Sequence, residues 1–541
     1  MTRAQKFQWH LEKGIASGVQ PLPTSTAEAA RSLVRALEQR FEILRTSIES
    51  IAGELRQKLH ESGSPLRVVD IAGEVDLRPC MARLAEDFRV HRLGAVNQLL
   101  VQFYLLRSHD RNWLAVVADN VAIDAGFHSV LEQETAGILA GSAQTQSALP
   151  TGLGGIQPSE AAALESSPKG NLERAKAADY LRRHYSVSPP RMHPSRPGGD
   201  TNEGRYHRCT LTVRRADRLF SRVMAETGLL PSAVILAAFA QLMCWRSETR
   251  ACSVNVSVDN RHNRELRRVW CATAQRAPVA LASHGGKLFE AATNVQRRLA
   301  EGHPTYGRYD PFDLIEERAR AQRRRGICLS TDLAFNFIPP PQGWTVLTGT
   351  LAGAAEDGTE LASDVVSATT DEVFYEYGAS LSVRWSSPQS AQLSIHGDSS
   401  VITPSQCESL LRGIELTLRL VAADGDCAVD EVARKVDLHK VPRSAAEQQI
   451  DGQWIDHDRI KSRLRNLDEV DDVVTTADRD PATGASRLTA RVVVAAGSTL
   501  TPADLREELL KAIETNELLV APDWYEIVAG PTTEVRANGG A

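Results

Sequence analysis

Apolar residues recur at helical spacing in TAEAARSLVRALEQRFEILRTSI, residues 26–48, where Ala30, Leu33, Val34, Leu37 and Phe41 fall on one stripe. That pattern predicts an amphipathic helix lying on a flat surface. VVDIAGEV (68–75) and NWLAVVA (112–118) are short, apolar and β-branched, and so predict strands of a covered sheet. After residue 124, Phe127, Val130, Leu131 and Ile138 define a second helical stripe. PSAVILAAFAQLMCW (231–245) is apolar nearly all round and opens with Pro231 and Ser232, which predicts a buried helix. ACSVNVSVDNR, ICLSTDLAFNF, ASLSVRW and AQLSIHG partly alternate apolar and polar positions and predict strands, and QCESLLRGIELTLRLVA predicts a closing amphipathic helix.

Between these groups, GSAQTQSALPTGLGGIQPSEAAALESSPKG and SVSPPRMHPSRPGGDTNEG are rich in Gly, Pro and Ser and flank one short helical piece. They mark a linker. The expected organisation is an N-lobe over 1–165, a linker over 166–200, a C-lobe over 201–430 and a small module over 445–541. Both lobes mix helices and strands, which makes the chain α/β (α+β) with a cleft expected between the lobes.

Composition narrows the function classes. With 541 residues the chain is too long for one core, and 42% apolar with 24% charged residues describes an ordinary soluble protein. A net charge of −6 argues against general nucleic-acid binding. MTRAQKFQWHLEKG has no signal-peptide core and no apolar run reaches about eighteen residues, so a cytoplasmic protein without a membrane span is expected. Eight cysteines, Cys80, Cys209, Cys244, Cys252, Cys271, Cys328, Cys407 and Cys427, form no CxxC pair and have no histidine at ligand spacing. They read as reduced, mostly buried apolar residues, and no metal is expected. The chain also lacks a Gly-rich phosphate loop and a GxSxG elbow.

The candidate chemistry sits in AVVADNVAID (115–124), where an apolar strand runs into Asp119 and Asn120 and an acid, Asp124, opens the next helix. Polar side chains at a strand-to-helix corner are well placed to face a cleft. Asp124 is also a good helix N-cap, which is its plainest role. The basic run RARAQRRRG (318–326) follows Glu316 and Glu317, an order that suits a solvated helix end. Its other reading is a docking patch for an acidic or phosphate-bearing partner.

The ordered set of segments resembles the condensation domains of nonribosomal peptide synthetases, of the chloramphenicol acetyltransferase-like fold. QRFEILRTSI is similar to the family's early helix ending, with Phe41 where a histidine usually stands. GELRQKLHESGSPLRVVDI is similar to the strand pair that follows it. SAVILAAFAQLMCWRSETRACSVNVSVDNR resembles the buried helix and strand that end in Asn260 and Arg261, and LAFNFIPP resembles the later strand around Asn336. The resemblance spans about residues 1–425 and implies two pseudo-symmetric lobes in a V.

It also implies where the chemistry belongs. The family's signature of two histidines, three variable residues and Asp-Gly aligns with Asp119-Asn120-Val121-Ala122-Ile123-Asp124-Ala125, so both histidines are replaced. Asn120 takes the place of the histidine that meets acceptor amine and donor thioester. An amide can orient a substrate but has no proton to exchange near neutral pH. Asp124 is implied to be structural, with Arg261 as its candidate partner. Asp119 and His128 are the substitute bases to weigh, and Arg261, Asn336 and His128 are the binding candidates.

The tail from Trp454 to Thr533 resembles the small C-terminal subdomain of adenylate-forming enzymes, yet Ala537 stands at the position of its lysine. No adenylate-binding domain and no carrier motif accompany it. The resemblance therefore implies no intrinsic cofactor; substrates would arrive on the phosphopantetheine arm of a peptidyl or acyl carrier protein or from other synthetase modules. Two readings follow, a platform in natural-product (antibiotic) biosynthesis without His-dependent amide synthesis, or an acyltransferase working by positioning or a non-histidine base. An epimerase-like relative ranks below both, because it uses the same lost histidine.

Overall fold

The computed structural model describes residues 1–11, 14–23, 26–71, 77–92, 95–109, 111–141, 155–193, 205–261, 267, 269–283, 286–329, 331–339, 364–369, 377–450, 453–479, 486–515 and 517–530. The chain divides into two units, neither of them continuous in sequence: Met1–Tyr180 with Ser257–Ala277 and Ala300–Ile315, and Leu181–Val256 with Pro278–Leu299 and Glu316–Ala541.

The first unit opens with α1 (Arg3–Leu11), β1 (Ile15–Leu22), α2 (Ala27–Arg40), β2 (Thr46–Ile51), β3 (Glu54–Leu59) and β4 (Arg67–Asp70). It continues through α3 (Leu77–His91), β5 (Val101–Arg107), β6 (Asn112–Asp119), α4 (Ala125–Gly141), α5 (Pro158–Ser166) and into α6 (Pro168–Val187). Its sheet has the order β1-β6-β5-β4, antiparallel except for the β4–β5 pair. Strand β6 is apolar on both faces because both are covered. Leu114, Val116 and Ala118 join a core with Leu33, Val34 and Leu37 of α2 and Phe127 and Leu131 of α4. Trp113, Ala115 and Val117 join another with Leu84 and Phe88 of α3.

The helix expected over 26–48 is shorter. Thr26 caps α2 through the Ala29 amide, and the helix stops at Arg40. Phe41 turns extended (φ −117°, ψ 105°) before a 3-10 turn and β2. Tertiary packing overrides the apolar stripe here, because the fully buried Phe41 ring is held edge-on by Phe127 and Trp270 at 5.4 and 5.1 Å. The segments read as a strand pair, β3 and β4, lie in different sheets: β3 pairs with β2, and β4 with β5.

The stretch assigned to a linker, 166–200, is largely the 20-residue α6. NLERAKAADYLRRHY is rich in helix formers, and the short helical piece expected between the Gly-, Pro- and Ser-rich stretches is a full-length helix. A two-pronged Arg174–Asp313 pair, both arms 2.7 Å, fastens α6 within the first unit. Residues 142–154 and 194–204, in the Gly-, Pro- and Ser-rich stretches, lie outside the described residues.

The second unit carries β7 (Tyr206–Arg214), α7 (Ala216–Thr227), α8 (Pro231–Ser247), most of β8 (Ala251–Val258) and of β9 (Gln275–Ala282), the first part of α9 (Leu288–Tyr306), the later part of α10 (Pro311–Arg325) and β10 (Leu333–Phe337). β11 (Asp364–Thr369), β12 (Ala379–Ser387), β13 (Ser390–Asp398), α11 (Pro404–Asp424) and α12 (Val429–Lys435) follow. The sheet order is β11-β7-β13-β12-β10-β8-β9, with β10 parallel to both neighbours. Helix α8 is buried on every side, as its composition predicts. Among the described residues of ICLSTDLAFNF, the strand is Leu333–Phe337. No single described helix is long and apolar enough to cross a membrane.

The C-terminal module comprises β14 (Glu447–Ile450), β15 (Gln453–Asp456), α13 (His457–Arg465), β16 (Val470–Arg479), β17 (Ser486–Val494), α14 (Pro502–Glu514) and β18 (Trp524–Ala529). Its core, with Ile460, Leu464, Val492, Leu505 and Leu509, also takes in Cys328 from the segment after α10. Ile327 bridges to Val520, and the Ala521 amide donates to the Gly326 carbonyl at 2.8 Å. Arg506 donates to the carbonyls of Arg323 and Arg324, capping the negative end of α10. Arg323 in turn pairs with Glu507 and Glu514, and Arg325 donates to the carbonyls of Tyr185 and Ser188. Much of the basic run is therefore engaged inside the second unit.

Gly326 is pivotal to this docking. Its φ of +63° is a left-handed conformation, and a Cβ there would stand 2.9 Å from the Ala521 Cβ. Gly326→Ala is expected to lower stability by about 1–3 kcal/mol, read as a shift in denaturant midpoint. A midpoint unchanged from the parent would show that the docking contact carries no weight.

Candidate active site

Strand β6 delivers Asp119 and Asn120 to the corner, with Asp119 opposite Ile15 of β1. The Asp119 backbone donates to Leu100 O at 2.9 Å, and its carbonyl receives the Ala122 amide at 2.8 Å. Its carboxylate, only 3% exposed, accepts the Val121 amide at 2.9 Å. An aspartate that hydrogen-bonds the backbone two residues on shapes its own turn. The fully buried Val121, Ala122 and Ile123 then tuck that turn into the core.

Asn120 is half-buried, with its amide N–H on the Gly14 carbonyl at 2.9 Å. A Cβ on Gly14 would lie 2.2 Å from Asn120 Nδ2, so the side chain rests on this glycine. His128 packs on the same segment, but over Gly18, where an added Cβ would fall 1.6 Å from its Nε2. Four residues of extended chain separate the two glycines by roughly 13 Å. The structure therefore does not bring His128 to Asn120; its other neighbour is Glu132, at 3.6 Å.

Asp124 is held on every side. Oδ1 accepts the Phe127 amide at 2.7 Å and Arg261 Nη2 at 2.9 Å. Oδ2 accepts the amides of Thr273 at 2.7 Å and Ala274 at 3.1 Å. The two roles expected of this acid coexist: one oxygen caps α4 and also meets the arginine. Arg261 continues to the carbonyls of Val269 and Cys271, both at 2.8 Å. Burial pushes the Asp124 carboxyl up, but the Arg261 charge with the Thr273 and Phe127 amides outweighs it, and the pKa lies below the ordinary aspartate value.

Other residues support the corner, among them Gly126, which carries no sequence signal. Gly126 leaves room for Arg261, whose Nε would be 2.4 Å from a Cβ placed there. Asn260, buried with φ 56°, donates to the carbonyls of Thr273 and Gly307, both at 2.9 Å, and so sets the chain direction into Arg261. Asn is among the few side chains that tolerate that conformation. Beneath the corner, Phe41 fills the position of the expected histidine with the ring that joins α4 to Trp270. Asn336 lies on β10 of the second unit, opposite Ser382. The Pro531–Ala537 stretch is outside the described residues.

Chemically, the corner offers a buried acid locked to an arginine, a second carboxylate engaged with its own turn, and an amide at the strand end. That set can hold and orient a polar group, but the position where proton transfer is expected carries no titratable side chain.

No protein-family model and no curated protein sequence matches the chain. Solved structures do. The first condensation domain of the calcium-dependent antibiotic synthetase, in complex with a substrate analogue, is similar at TM-score 0.59 and 16% identity, over 80% of this chain and 97% of that one. The condensation domain of the monacolin K polyketide synthase gives TM-score 0.59 at 13% identity, over 79% and 98%. A condensation domain that mediates chain release from the enacyloxin polyketide synthase gives 0.55 at 16%, over 83% and 84%. At such identities the likeness speaks for architecture, and the chain has the condensation-domain, chloramphenicol acetyltransferase-like fold.

Proposed function

We propose that this protein is a degenerate condensation-fold member of nonribosomal peptide or polyketide assembly, which binds carrier proteins or partner enzymes as a platform and does not perform His-dependent amide synthesis. The observation that carries the reading is the contrast within one corner. The Asp124–Arg261 framework is complete, while the side chain it should present is the amide of Asn120 resting on Gly14. Keeping the frame without the base favours recognition over turnover. Substrate would be presented on the phosphopantetheine arm of a partner carrier, and the C-terminal module, welded to α10, acts as a docking and packing element.

The alternative is an acyltransferase that forms an amide or ester from a carrier-tethered thioester by positioning alone. The intact corner favours it, since orientation can contribute substantially to rate. Reconstitution separates the two. With holo and aminoacyl-loaded carriers from neighbouring synthetase proteins, the platform reading expects retention of a carrier in a pull-down and product at the level of the carriers alone. Product formation well above that level, or failure to retain any carrier or partner enzyme, would overturn it.

A further inference from the structure

His207 and Cys209 are alternate residues of β7, so both side chains leave the same face of the second unit's sheet. Cys407, 200 residues from His207 in sequence, lies in the first turn of α11 packed on that face. All three are buried, and a His207 ring nitrogen and the two sulfurs lie within 4.8 Å of one another. His207 Nε2 is 3.2 Å from Cys407 Sγ. Bonds of about 2.0 Å to nitrogen and 2.3 Å to sulfur place the donors around one d10 ion roughly 3.5–4.0 Å apart, close to the spacing already present.

The surroundings fit a ligand set. Ser399 Oγ donates to the Arg205 carbonyl at 2.7 Å, which leaves its lone pairs to accept His207 Nδ1–H at 3.4 Å. The Nε2 lone pair then points at Cys407, the arrangement by which outer partners fix a metal-binding imidazole. A Cβ on Gly397 would be 2.9 Å from Nε2, so the sheet makes room for the ring with a glycine. Arg246, 3% exposed, donates to Val401 O and to Oε1 of Gln406, the residue before Cys407.

We propose that His207, Cys209 and Cys407 form a site for one thiophilic d10 ion, Zn²⁺ or Cu⁺. On binding, both S–H bonds break and two protons leave to solvent. Two metal–sulfur bonds and one metal–nitrogen bond form. No electron is transferred. Soft sulfur donors select these ions over Mg²⁺ or Ca²⁺.

The test uses the full chain, reduced with a phosphine and stripped by a chelator. It is titrated with Zn²⁺, or anaerobically with Cu⁺, against a chromophoric competitor. One equivalent per chain is expected for at least one of the two ions, and proton release in weak buffer should approach two per ion. Cys209→Ser and Cys407→Ser should each weaken binding more than about tenfold, and Ser399→Ala by roughly tenfold. Cys80→Ser and Cys427→Ser should leave it unchanged. Absence of stoichiometric uptake of either ion by the unmutated protein overturns the site, whether or not the variants fold. So does uptake that survives loss of both cysteines.

Discussion

Asp124→Asn is expected to lower the free energy of unfolding by about 3–5 kcal/mol, the cost of breaking a buried ion pair from one side. The Asp124 and Arg261 side chains are only 10% and 11% exposed, so solvent screens the loss little. Whichever way the new amide turns, its NH₂ faces donors: the Thr273 and Ala274 amides on one side, Arg261 and the Phe127 amide on the other. If Asp124 acted as a helix cap alone, asparagine would replace it at a cost under about 1 kcal/mol. Arg261→Met should reproduce most of the loss. The double variant should recover part of it, because neither charge is left alone. Additive, small shifts of the denaturant midpoint would show that the pair does not hold the corner. The pH dependence has a definite sign. Because the folded pKa lies below the unfolded value of about 3.9, the stabilisation is complete above that pH and is lost as pH falls through the folded value. Asp124→Asn should therefore remove an acid-limb decline that the parent shows.

Asn120→His is expected to raise condensation with loaded carriers by about 10²–10⁴-fold, the usual contribution of a positioned general base. The frame that would orient the new imidazole is already built. Asp119 is best left alone in this experiment, since its carboxylate accepts the Val121 amide and shapes the turn. Asn120→Ala should leave carrier retention as it is and product at background. Amide formation by the unmutated protein that collapses in Asn120→Ala would instead make the asparagine a working residue and end the platform reading.

The parts legible in the sequence were those where one physical demand dominates. Helix α8 is buried all round and its composition allows nothing else. The Asp124–Arg261 pair was legible from the ordered resemblance, because a corner acid needs a cation. The misreadings have a common cause, in that a distant partner decides the local structure. Phe41 leaves its helical stripe for Phe127 and Trp270. The basic run is a solvated helix end, as its charge order suggests, and its exposed ion pairs to α14 depend on a distant partner. The His207–Cys407 cluster escapes spacing rules, since Cys407 reaches His207 and Cys209 only after α11 packs on β7. Gly14 and Gly126 carry no motif, and their role is the room they leave for Asn120 and Arg261.

Cys328 belongs to the core of a module whose other members begin more than a hundred positions later in the chain. That borrowed residue makes the module a poor portable cassette. A gene cut near codon 445 would strand Ile327 and Cys328 on one product and leave a breach in the packing of the other. The natural seam for recombination or for engineered chimeras therefore cannot fall there. Any exchange of this tail has to carry the end of α10 with it.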